Sequence, residues 1–181
     1  ELDKIKYEKL LMVDPSKHKL FDSTGSKVNI IENNFFIEAE NPSFVWNLDF
    51  EDDDSFLLNE TTVKIVSHNI KYTQNLEPPC CFLSGTSITM ADGSTKEIQN
   101  ISIGDVVKTY DEETDTFTSN KVTGINHNHT VGDHKSSCEL LGDTCGVYSI
   151  NDLNIRFTPE HPFFTLEGWK SLVPNPSDEP F

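Results

Sequence analysis

Positive charge is scarce in this chain. Its 14 Lys and Arg stand against 30 Asp and Glu, for a formal net charge of −16. The deficit runs through both halves: residues 1–79 carry 15 acids and 8 bases, and residues 80–181 carry 15 and 6. Either half would repel a nucleic acid or an anionic membrane surface, so neither is expected as a partner. Long apolar runs are missing too, and none approaches the roughly 18 to 20 residues of a bilayer-spanning helix. Cysteine is sparse, with 4 in the chain and two of them adjacent at 80 and 81. That is not the dense, regular framework of a secreted disulfide scaffold, and a reducing, intracellular compartment is the expectation. Gly and Pro, 9 of each, are too few for disorder throughout. The chain opens on Glu1 with no charged-then-apolar leader and reads as a fragment of something longer.

Short strand-like stretches fill the first part of what is present. Residues 9–13, 19–21, 27–31, 35–39, 43–48, 55–58 and 62–66 are rich in apolar and β-branched residues. Between them lie turn compositions such as Asp14-Pro15-Ser16, Asp22-Ser23-Thr24-Gly25-Ser26 and Glu40-Asn41-Pro42. Strands recurring every eight to twelve residues or so suggest a sandwich or barrel. The run Glu51-Asp52-Asp53-Asp54 has the carboxylates of a calcium loop but not its patterned glycine, and reads as a solvated turn. Thr73-Gln74-Asn75-Leu76-Glu77-Pro78-Pro79 ends in two prolines, which favour an extended linker. The expected division is an acidic β module over 1–72, a linker over 73–80, and a second β domain over 81–181.

That second domain opens on Cys81. Residues 86–90 alternate in bulk and polarity, and Ala91-Asp92-Gly93-Ser94 supplies an Asp-Gly hairpin turn. A further turn at Gly104-Asp105 precedes the strand-like Val106-Val107-Lys108-Thr109-Tyr110. Lys121-Val122-Thr123-Gly124-Ile125 reads as the returning strand, and residues 126–146 weaken into loop composition. Residues 147–157 then suggest a hairpin turning at Asn151-Asp152. The fold class expected is mostly β.

Two sets of residues carry candidate chemistry. His127, His129, His134, Cys138 and Cys145 combine imidazole with thiol, the ligand types zinc prefers, but their spacing matches no standard finger. A zinc site, a Cys138–Cys145 loop disulfide and an unliganded insertion all remain open. The other set is Cys81 with Thr158-Pro159-Glu160-His161, where a tight turn would let Thr158 and His161 face one point. Singly, each has an ordinary explanation: a buried small hydrophobe, a common turn, a packing histidine.

Taken together and in order, Cys81-Phe82-Leu83-Ser84-Gly85-Thr86, Ala91-Asp92-Gly93-Ser94 and Ile103-Gly104-Asp105-Val106-Val107 resemble the opening block of the hedgehog/intein (Hint) superfamily of self-processing domains. Ile155-Arg156-Phe157-Thr158-Pro159-Glu160-His161-Pro162-Phe163-Phe164, 80 residues on (161 − 81), resembles its second block, and the likeness covers about residues 81–172. It implies a Hint-type β fold of hairpins and an N-to-S acyl shift, in which the Cys81 thiol attacks the carbonyl of Cys80 to form a thioester. His161 would donate a proton to the nitrogen of the 80–81 amide, and Thr158 would hydrogen-bond the same region. Asp105 is a further candidate helper, although its turn position accounts for it structurally. The substrate is the protein's own upstream segment, the acceptor is water or an external thiol, and no cofactor is required. This is single-turnover autoproteolysis rather than turnover catalysis.

The resemblance is incomplete. A splicing intein ends in His-Asn before Cys, Ser or Thr, and this chain ends in Asn175-Pro176-Ser177-Asp178-Glu179-Pro180-Phe181. Cleavage or ligation is therefore expected, and splicing only with C-terminal residues not present here. The competing expectation is a processing-inactive β module used in assembly, with or without the His/Cys zinc site.

Overall fold

The computed structural model describes residues 19–21, 27–29, 36–38, 44–51, 55–59, 64–68, 81–111, 114–140, 146–149, 153–165 and 168–173. The expected strand at 9–13, the calcium-like residues 52–54, the linker with Cys80, the turn at Asn151-Asp152, and Cys145 lie outside them. The protein is mostly β, and the strand pairs are antiparallel. No helix among the described residues is long and apolar enough to cross a membrane.

Among the described residues six strands precede Cys81: β1 (Lys19–Phe21), β2 (Lys27–Asn29), β3 (Phe36–Glu38), β4 (Phe44–Phe50), β5 (Ser55–Asn59) and β6 (Lys64–His68). Eight described strands follow it: β7 (Phe82–Leu83), β8 (Ser87–Thr89), β9 (Thr95–Glu97), β10 (Val106–Asp111), β11 (Thr116–Thr130), β12 (Gly146–Tyr148), β13 (Phe163–Thr165) and β14 (Gly168–Lys170). A short helix, α1 (Lys135–Leu140), follows a 3₁₀ turn at Val131–His134.

The Asp-Gly hairpin forms as its residues require. β8 and β9 pair through Ser87↔Glu97 to Thr89↔Thr95, Gly93 takes φ +85°, and Asp92 accepts from the amide and hydroxyl of Ser94. A glycine suits that φ because no Cβ meets the backbone there. β10 and β11 form a second hairpin, Val106↔Lys121 to Asp111↔Thr116.

The expected boundary between an upstream module and a second domain does not divide the core. Strands from the two sides of Cys81 share sheets: the larger runs β2-β1-β13-β6-β5-β8-β9, with β14 on β13, and a second runs β10-β11-β4-β7. Leu58 lies opposite Ile88, and Trp46 opposite Phe82. One cluster joins Leu48, Phe50, Phe56, Leu58 and Ile65 to Phe82, Ile88, Val107, Phe157 and Phe163. β5 shows why: Ser55 to Leu58 are buried on both faces, as in an interior strand covered on each side. Phe56 and Leu58 join the main core, while Leu57 packs with Val66, Tyr110, Phe117 and Phe164. Strand-and-turn patterning looks the same whether a strand pairs within its own module or with a later partner.

A second correction concerns residues 126–140. Where loop composition begins, β11 continues to Thr130 and pairs with β4 through Asn126↔Asn47, His129↔Val45 and Thr130↔Phe44, with an irregularity between 126 and 129. These side chains are polar and mostly half-exposed, so the strand is held by its backbone ladder and shows no apolar alternation. Tyr148 and Phe157 do exchange both backbone hydrogen bonds, 2.9 and 3.0 Å, as a chain reversal between them demands.

Candidate active site

Cys81 stands immediately before β7, and a short ladder brings the second motif to it. Leu83 N–H donates to Arg156 O at 2.9 Å, and Thr158 N–H donates to Cys81 O at 2.9 Å. Thr158 closes the loop from the other side: its Oγ1 accepts from Cys81 N–H at 3.0 Å. The nitrogen so held is that of the 80–81 peptide bond.

Thr158-Pro159-Glu160-His161 is a β-turn, with His161 N–H donating to Thr158 O at 3.0 Å and proline at the second position, where its fixed φ fits. Pro159 O accepts from the amides of both Leu172 and Val173, each at 3.0 Å, tying the turn down. The turn is buried, with Thr158 and His161 at 0% exposure. The His161 ring lies against Phe82, centroids 3.9 Å apart, and near Phe163 at 5.5 Å. Its Nε2 meets Ser67 Oγ at 2.5 Å.

The Cys81 side chain packs with Val45, Val131 and Val147, and with half-buried Leu83. Burial pushes its thiol well above the ordinary range, and the negative charge of Glu160 adds to the shift. Glu160 is itself buried and its Oε2 lies 3.0 Å from His134 Nδ1. The buried polar groups Cys81 with Thr158, Glu160 with His134, and His161 with Ser67 thus form three contacts that all run through this one turn.

Asp105 is not among them. It ends the Gly104 turn, where Lys96 Nζ donates to Oδ2 at 2.6 Å and Ser102 N–H at 2.7 Å. The hydrogen bond from Lys96 is the main reason its carboxyl sits below the usual range. The helper role considered for it has no geometric support, and the structural account of the turn stands. The other described members of the His and Cys set have separate surroundings. His127 stacks on Trp46, rings 4.7 Å apart and 9° from parallel. His129 is held toward its neutral form, chiefly by burial. Cys138 is buried in the main core, with its thiol 3.6 Å from Gly146 O. Among the described residues no three His, Cys, Asp or Glu side chains are grouped to hold a metal ion.

Sequence reasoning missed Ser67 and gave Glu160 no role, and it read His134 as a possible metal ligand. Glu160 was visible within the turn motif. Ser67 carried no local signal, and only the pairing of β6 with β13, Phe163↔Ser67, brings it to His161. Compared with protein-family models, curated proteins and solved structures, the chain finds no match.

Proposed function

We propose that Cys81 carries out an N-to-S acyl shift on the bond joining it to Cys80, as in Hint-type self-processing domains. The observation that carries this reading is the double grip on Cys81 by Thr158, whose hydroxyl holds the nitrogen of the 80–81 bond at 3.0 Å. The imidazole of His161 and the carboxylate of Glu160 belong to the same buried turn, where directed hydrogen bonds count for most.

The step is a rearrangement with no net gain or loss of atoms. The Cys81 sulfur bonds to the carbonyl carbon of Cys80, the carbon–nitrogen bond breaks, and the thiol proton ends on the released amine of Cys81. Burial holds the thiol in its protonated form, so proton removal accompanies attack rather than preceding it. Glu160, whose charge reaches the thiol, receives that proton. His161 takes that proton from Glu160 and passes it to the departing nitrogen. Water or an external thiol then takes the acyl group from sulfur and restores the Cys81 thiol.

Since β4, β5 and β6 share sheets with β7, β8, β11 and β13, the two pieces remain associated after the cut. The test is intact mass under denaturing conditions after incubation with dithiothreitol, beside a Cys81→Ala control. Fragments 1–80 and 81–181 from the parent alone support the shift, and an uncut parent at alkaline and neutral pH refutes it. A processing-inactive assembly module has one observation in its favour, the burial that raises the thiol, and the uncut outcome would favour it.

A further inference from the structure

One polar contact to the His161 ring comes from upstream of Cys81. Ser67 and His161 are both at 0% exposure, and Oγ lies 2.5 Å from Nε2. Ser67 Oγ also lies 3.3 Å from Pro162 O, to which it donates. A hydroxyl has one proton and two lone pairs. When its proton lies on the Pro162 carbonyl, Ser67 Oγ can only accept from His161, and Nε2 then carries the hydrogen. Proton exchange with the reacting groups is then left to Nδ1.

We propose that Ser67 is a positioning residue for His161: it fixes the Nε2–H tautomer and the ring's orientation for the acyl shift, a role that rests on the reading above. Its placement is set by sheet register. Ser67 on β6 lies opposite Phe163 on β13, two residues past His161, while Phe82 covers the ring face at 3.9 Å. The segment acting as substrate thus completes the site that cuts it. A chain lacking β6 would have His161 in its turn but not its tautomer lock.

Two measurements on the full chain decide this. In uncut Cys81→Ala protein labelled with ¹⁵N-histidine, two-bond proton–nitrogen correlations should show His161 as the Nε2–H form, and Ser67→Ala should convert it to a mixture. In the Cys81 chain, Ser67→Ala should slow scission about tenfold or more and shift its pH profile, while Ser67→Thr, which keeps the hydroxyl, restores both. An Nδ1–H imidazole in the Cys81→Ala protein would overturn the proposal, as would Ser67→Ala cutting at the parent rate with an unchanged profile. A parent chain that never cuts removes the reaction and Ser67's part in it, even with the Nε2–H form present. The first two outcomes would leave the acyl shift standing, and the last would not.

Discussion

Cys81 and Cys138 are equally buried, at 1% and 0% exposure, yet their surroundings differ in kind. Cys138 sits on α1 within the apolar core that holds Phe157 and Ile155, its thiol near a backbone carbonyl. Cys81 packs among valines, but its backbone is gripped on both sides by Thr158, and a buried carboxylate acts on its thiol. Burial therefore does not distinguish the cysteine proposed to react from the packing one. The difference lies in which protic and charged groups surround the peptide bond.

The largest effect expected from breaking this contrast is on scission itself. Cys81→Ala should abolish thiol-dependent cleavage. Cys138→Ala should leave its rate within about twofold while costing about 1 kcal/mol of stability, the scale for losing one small buried group; urea melts and intact mass read the two effects separately.

Thr158→Val comes next. It keeps the shape but removes the acceptor at 3.0 Å from Cys81 N–H, leaving a buried donor unpaired at a cost of about 1–3 kcal/mol. Urea denaturation should show that loss, and the cleavage rate should fall about 10- to 100-fold.

A third, smaller effect is on pH dependence. The folded thiol of Cys81 is raised above its unfolded value, first by burial and then by Glu160. The folded state therefore holds its proton where the unfolded chain loses it. The stability this gives is fully present below about pH 8.5, the ordinary thiol value, and declines as pH rises above it toward the folded value. Between pH 7.5 and 9.5 the urea midpoint of the parent should fall more than that of Cys81→Ala.

The smallest effect belongs to the exposed polar turn. Lys96 and Asp105 are 34% and 24% exposed at their side chains, so Lys96→Met should cost at most about 1 kcal/mol at neutral pH. Because the Asp105 carboxyl is lowered, mainly by Lys96, its contribution is present above about pH 4 and vanishes as pH falls further. Cleavage should be unchanged by Asp105→Asn, in contrast to any change at Thr158.

The same contrast separates what could be read in the sequence from what could not. Gly93 and Gly104, at φ +85° and +96°, mark turns whose residues announce them locally. The Thr158-Pro159-Glu160-His161 turn was likewise legible, since proline and spacing define it within four residues. The partners of β4, β5 and β6 were not, because an alternating strand states which face it buries but not which strand covers it. The polar end of β11 was illegible for a related reason: backbone ladders leave no mark on side-chain composition. Ser67 lay beyond reach on both counts, its role arising from one cross-strand register between residues 94 positions apart.

Hydroxylamine capture tests the central claim most directly. The parent chain and Cys81→Ala are incubated with hydroxylamine near neutral pH, denatured, and weighed intact. Residues 1–80 should be released as the hydroxamate of Cys80, alongside 81–181 with a free amino-terminal cysteine, from the parent alone. A parent chain that stays whole, or fragments equally formed by Cys81→Ala, would contradict it.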